Sequence, residues 1–185
     1  MFTAAGPTVD LICHPAVASP GSLSIRVDYA CAADNILRLR YSLHGALSRL
    51  LVPEVRAAER TAELWRHTCF EAFVGIAGTP VYCEFNFAPS RQWAVYRFAS
   101  YRAGMDPVGG IPAPTIGVRR ELERLEIDVT CPLAEISELP GDARLKLALA
   151  AVIESEDGTL SYWALRHPRA EPDFHHSDSF AISLR

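Results

Sequence analysis

Apolar and polar residues alternate along most of the chain, the pattern of strands with one buried face. Leu23, Ile25, Val27 and Tyr29 alternate with Ser24, Arg26 and Asp28, and Leu37, Leu39, Tyr41 and Leu43 with Arg38, Arg40 and Ser42. Ala33-Asp34-Asn35 supplies turn residues between these runs, which predicts a hairpin. Four more runs share a phase: Phe70 to Ile76, Val81 to Phe87, Leu125 to Val129 and Leu145 to Ile153. Shorter strands are expected at Gln92–Phe98, Leu160–Leu165 and Ser179–Leu184. Gly78-Thr79-Pro80, Pro89-Ser90, Pro140-Gly141-Asp142 and Glu156-Asp157-Gly158 punctuate the series.

Helical signal is thin. Ser48–Thr61 holds one turn or two, interrupted by Pro53, and Pro132–Leu139 another short turn. Ala103–Thr115, rich in Gly and Pro, reads as a long surface loop. Many short strands with few helices predict an all-β chain, a single antiparallel β-sandwich domain of immunoglobulin-like or jelly-roll type over residues 1–185.

Composition narrows the function classes. Hydrophobic residues make up 49% of the 185 and charged residues 22%, which suits a packed globular chain. A net charge of −4 offers no general attraction to phosphate backbones, so nucleic acid is not an expected partner. No apolar run is long enough to span a bilayer as a helix, so no membrane partner is expected. The five cysteines are far apart with no CxxC pair, and several fall on apolar strand phases. With no secretory signal pattern at the N-terminus, a reducing, cytoplasmic location is expected.

Three blocks of residues carry a family resemblance. They are Leu64-Trp65-Arg66-His67-Thr68-Cys69-Phe70-Glu71-Ala72-Phe73-Val74, Tyr82-Cys83-Glu84-Phe85-Asn86-Phe87-Ala88-Pro89, and Phe174-His175-His176 leading into Phe180-Ala181-Ile182-Ser183-Leu184. Leu125 to Leu133 adds a strand ending in Cys131-Pro132. In this order they resemble the DOMON-like superfamily, which includes the family 9 carbohydrate-binding modules. Thr68 stands where that family carries Asp. The resemblance implies an antiparallel sandwich that binds sugars in some relatives and haem in others. Fold analogy does not choose between them.

Register gives the candidate site. With tight turns at Ile76–Pro80 and Pro89-Ser90, Glu71 lies opposite Glu84, Glu84 opposite Val95, Asn86 opposite Trp93, and Tyr82 opposite Arg97. One sheet face then carries Cys69, Glu71, Phe73, Tyr82, Glu84, Asn86, Trp93, Val95 and Arg97. The other carries Phe70, Ala72, Val74, Cys83, Phe85, Phe87, Ala94, Tyr96 and Phe98, and is core. Aromatics among carboxylates, an amide and a guanidinium suit a sugar or another small polar-ring ligand. The expected ligand-binding residues are Trp65, Glu71, Tyr82, Glu84, Asn86, Trp93 and Arg97. The plainer alternative is that Arg97 pairs with a glutamate while the aromatics pack under a loop.

Other chemistry is less well supplied. A retaining glycosidase needs two carboxyls flanking a bond, and neighbours on one sheet face do not flank one. Asp173, His175, His176 and Asp178 lack established metal-ligand spacing and read as a polar loop, with His175 as a structural hydrogen-bonder. Haem would call on His67 or Met105. No GxSxG, P-loop or GxGxxG motif occurs, so no enzyme is expected. The readings are a non-catalytic small-molecule-binding module with carbohydrate first, then a protein-interaction or homo-oligomeric subunit domain, then a haem-binding domain. Ligand and cofactor identity stay open.

Overall fold

The alternating runs become strands. A computed structural model of the chain describes residues 6–17, 21–31, 34–140 and 143–184. Its strands are β1 (Thr8–Cys13), β2 (Ser24–Cys31), β3 (Ile36–His44), β4 (Cys69–Ile76), β5 (Tyr82–Phe87), β6 (Trp93–Phe98), β7 (Asp106–Pro107), β8 (Thr115–Arg120), β9 (Arg124–Pro132), β10 (Leu145–Glu154), β11 (Leu160–Ala164) and β12 (Ile182–Leu184). Each expected strand is present. β1, β7 and β8 are additional, and β7 lies in the segment expected to be loop. Ala33, Gly141 and Asp142, parts of two expected turns, lie outside the described residues.

Among the described residues the strands pair antiparallel in the order β7-β6-β5-β4-β10-β11-β1-β2-β3-β9-β8, with β12 on β10. The expected sandwich of separate sheets therefore gives way to one continuous curled sheet. β1 makes the join: Thr8 to Leu11 pair with β2, while Ile12 and Cys13 pair with β11.

The curl brings two apolar faces together. Val27, Leu39 and Ile127 from one half share a buried cluster with Phe70, Val74, Phe85 and Leu147 from the other. Burying each large apolar side chain of this kind contributes about 1.5–3 kcal/mol. The buried Tyr41 of β3 crosses the layer, its ring 5.1 Å from Phe70 and its hydroxyl donating to the Glu71 carbonyl at 2.7 Å. That bond satisfies a phenol which burial would otherwise leave without water.

The expected helix over Ser48–Thr61 reduces to one 3₁₀ turn, Leu47–Arg49. Beyond Pro53, which supplies no amide donor, the chain runs beside β6: Trp93 donates to the Glu59 carbonyl and Thr61 to that of Trp93. Two further 3₁₀ turns matter below, Leu64–Arg66 and Ser177–Ser179. A fourth, Leu133–Glu135, meets the turn expected over Pro132–Leu139.

Candidate functional site

The outer face of β4, β5, β6, β10 and β11 is not left to solvent. Cys69, Phe73, Tyr82, Ala94, Tyr96, Phe98, Ala150 and Val152 form a second buried cluster there, with Leu64 and Phe174 packed on it. β4 and β5 are buried on both faces, except at Ile76. Two segments make this cover: Leu64–Arg66 before β4, and the chain from Pro172 to Phe180 before β12.

Two loops set the register of the face. Between β4 and β5 the loop is the four residues Ala77-Gly78-Thr79-Pro80, closed by Ile76 donating to Val81. Glu71 is therefore opposite Asn86, and Glu84 opposite Phe73. The two glutamates share a face as expected, but as diagonal neighbours, still within reach of long side chains.

The β5–β6 loop corrects the expectation more deeply. It has three residues, Pro89-Ser90-Arg91, with Ala88 donating to Gln92 and Arg91 in the left-handed region at φ 72°. This is the hairpin that ends in a left-handed residue, not the two-residue turn. One extra residue moves every β6 side chain to the other face. Glu84 is opposite Tyr96, and Phe87 opposite Trp93.

Trp93 and Val95 consequently belong to the main core, Trp93 under the Arg60 guanidinium at 4.3 Å. Arg97 is on the same side, exposed at the sheet edge, and bonds Asp106 at 2.9 Å. The structure thus separates Trp93 and Arg97 from Glu84. In their place Ala94, Tyr96 and Phe98, expected in the core, face the glutamates.

Trp65, Glu71 and Glu84 meet in a cavity of about 440 Å³, with Arg102, Phe174 and His175 among its other lining groups. Trp65 projects from its 3₁₀ turn, which Glu63 enters in a left-handed conformation, and meets Tyr96 edge-on at 5.5 Å. Tyr82 and Asn86 stand behind the cavity wall and organise it.

The polar groups form a chain of contacts. The Cys69 thiol donates to Asn86 Oδ1 at 3.5 Å, and Asn86 Nδ2 donates to Glu84 Oε1 at 2.7 Å. Glu84 Oε2 is 3.8 Å from His175 Nε2, while His175 Nδ1 is 2.9 Å from the Tyr82 hydroxyl. The Arg102 amide donates to that same hydroxyl at 3.2 Å. Assigning the imidazole proton to Nε2 serves both contacts, because the tyrosine can then donate to Nδ1 while Nε2–H faces the carboxylate. Burial first, then the Arg102 charge, lowers the His175 pKa to about 4, so the ring is neutral near pH 7.

Glu71 differs from all of these. It is buried, yet its Oε1 meets no donor. Desolvation, then the charge of Glu84, pushes its pKa well up. Burial also raises that of Glu84, but Asn86 and Arg102 pull against the rise.

The mouth is ordered by remote residues. Asp173 accepts from the Tyr101 hydroxyl at 2.5 Å and from Arg102 at 2.9 Å, and its Oδ1 also receives the His175 amide. These bonds fix the segment that carries Phe174 and His175. Sequence reasoning had placed His175 only as a structural hydrogen-bonder and passed over Arg102. Their membership had no local signal beyond the polar density of Asp173 to Asp178.

A second recess of about 650 Å³ adjoins the first and shares Arg66 with it. Its polar groups have partners: His67 meets Glu154 at 2.8 Å, and Gln92 bonds Ser90, Glu59 and Thr61. Thr68 is structural, donating to the Leu51 carbonyl and accepting from the Glu154 amide. His67 lines this recess while Met105 lines the first, so the two haem-ligand candidates do not share a cavity. Among the described residues no group of three or more His, Cys, Asp or Glu is disposed to hold a metal. Nor, among them, is any helix long and apolar enough to cross a membrane.

The sequence matches no protein-family model, and no curated protein matches it. Solved structures do resemble it. A protein from Bacteroides uniformis proposed to bind carbohydrate aligns with a TM-score of 0.66 at 14% identity, over 96% of this chain and 85% of that one. That likeness establishes a shared fold. A family 9 carbohydrate-binding module from Caldicellulosiruptor kristjanssonii, solved with glucose, aligns with a TM-score of 0.45 at 9% identity, over 84% of this chain and 73% of that one.

Proposed function

We propose that this chain is a non-catalytic binding domain for a small polar-ring ligand, carbohydrate first, held in the cavity between Trp65 and His175. The observation that carries the reading is Glu71: a buried carboxyl, with one oxygen lacking any donor, facing a cavity that has aromatic walls. A buried polar atom without a partner costs about 1–3 kcal/mol, and a ligand hydroxyl or amine would recover it. The cavity volume falls in the range of small-ligand sites, roughly 300–1,000 Å³. Trp65, Phe98 and Phe174 offer apolar faces, while Glu71, Glu84 and His175 offer the polar edges. Tyr82 and Asn86 hold those edges in place. The fold shared with the Bacteroides uniformis protein agrees in kind.

Catalysis is not part of the reading. Glu71 and Glu84 come from adjacent strands on one wall, so they do not flank a bond from opposite sides. Docking of another protein is not favoured, since the chain's own segments cover the apolar outer face.

Tryptophan fluorescence tests the proposal cleanly, because Trp93 and Trp163 are buried in the core and Trp65 lines the cavity. Titration with glucose, galactose, xylose, glucosamine and N-acetylglucosamine should give a saturable change in emission with at least one of them. Trp65→Ala should abolish the change while far-UV circular dichroism stays that of the wild type. A panel that leaves the emission flat would overturn the reading.

A further inference from the structure

The cavity has an excess of hydrogen-bond acceptors at one place. Glu71 Oε1 has no donor, and Glu84 has only the Asn86 amide within ordinary hydrogen-bond length. The nearest other donor, His175 Nε2, is 3.8 Å from Glu84. The guanidinium groups that line the cavity do not make up the deficit. Arg102 is paired with Asp173 at 2.9 Å and Arg66 with Glu63 at 2.9 Å, so each is largely offset by its own acid. The remaining groups facing Glu71 are the Cys69 thiol on its own strand and, through the Glu71 backbone, the neutral Tyr41 phenol from the opposite half. Neither brings positive charge. What the two carboxyls lack is several donors and one unit of positive charge, delivered at a single point.

A ligand hydroxyl carries one donor and also needs an acceptor's partner for itself, whereas an ammonium brings three donors, one charge and no acceptor. The walls suit the same group, since Trp65, Phe98 and Phe174 line the cavity and aromatic rings are sites of attraction for a cation. We infer that the preferred ligand class is an amino-substituted sugar, its ring against Trp65 and its ammonium between Glu71 and Glu84. This rests on the carbohydrate reading above and narrows it. A charge-assisted bond from an ammonium to a buried carboxylate is stronger than a neutral one, and the amine should therefore gain about tenfold or more in affinity over the matching hydroxyl.

Three probes with the same ring decide the matter: glucosamine, glucose and N-acetylglucosamine, titrated at pH 6 by calorimetry and by Trp65 emission. At that pH an amine is protonated, roughly two units below its ordinary pKa. The expected result is glucosamine binding about tenfold or more tighter than either neutral sugar. Glu71→Gln, nearly isosteric, should weaken glucosamine binding more than glucose binding, so that the ratio of their affinities falls. Equal affinities in the wild type, a preference for a neutral sugar, or a glucosamine-to-glucose affinity ratio that Glu71→Gln leaves unchanged would each overturn the inference while leaving sugar binding intact. Failure of all three probes, together with the wider panel above, would overturn the carbohydrate reading itself. The wild-type comparison stands alone if the variant does not fold.

Discussion

Glu126 and Glu71 are both buried glutamates on outward faces of the curled sheet, one in each half, and their surroundings are opposite. Glu126 on β9 accepts from Arg119 at 2.8 Å, and also from Arg124 and Ser42. Burial pushes its pKa up, but the Arg119 bond and the charges of Arg119, Arg124 and Arg40 outweigh this and hold it below the ordinary value. The same face continues the pattern: Arg40 and Arg119 both meet Asp128, and Arg26 meets Asp10. Glu71 on β4 has no cation in contact, and its pKa moves the other way. On that face the carboxylates of Asp10, Glu126 and Asp128 each meet a guanidinium. A carboxyl sealed under aromatics without a donor has a hydrogen bond to gain, which is why the proposed site lies in the β4–β5 half.

The largest expected effect breaks the cover of that half. Phe73 is wholly buried on the site face, between Tyr82, Phe174 and His175. Phe73→Ala should cost about 3–5 kcal/mol, read as a lower urea midpoint. A loss below about 1 kcal/mol would mean that the outer cluster is not a packed core.

The next effect is a difference in pH dependence. Glu71, with its folded pKa raised, contributes stability that is complete below the ordinary carboxyl value of 4.5 and is lost as pH rises. His175, lowered from 6.5 to about 4, contributes stability that is complete above 6.5 and is lost as pH falls toward 4. Glu71→Gln should therefore gain on the wild type progressively as pH rises above 4.5 in urea unfolding, and leave the acid-side loss unchanged. Parallel wild-type and variant curves would show that Glu71 is not held in the low-dielectric site described.

The smallest effect lies on the paired face. Arg26 and Asp10 are both largely exposed, at 63% and 75% of their side chains. Arg26→Ala should change stability by less than about 1 kcal/mol, and less again in high salt. A larger, salt-insensitive loss would erase the contrast between the two faces.

Much of the site was legible in the sequence. The phase of two consecutive strands groups Glu71, Tyr82, Glu84 and Asn86, and the structure keeps them on one face, because two-residue periodicity survives any even shift in register; Trp65 joins them from the 3₁₀ turn before β4. Trp93 and Arg97 were misplaced because the third strand depended on a loop length. Nothing in Pro89-Ser90-Arg91 announces that an arginine takes the left-handed conformation usually left to glycine or asparagine. Arg102, Phe174 and His175 were not grouped with them at all. They reach the cavity through Tyr82 and Asp173, which are 91 residues apart in the chain by number.

By itself the sequence determined most of the strands, the buried phase of those outside β6 and the all-β class, since each is a local matter of which side chains can face water. The tertiary structure alone decided that the strands form one curled sheet, which β6 side chains face the glutamates, and which distant segment closes over them. Those outcomes depend on one odd residue in a loop and on contacts between parts of the chain far apart, and neither leaves a periodic trace along it.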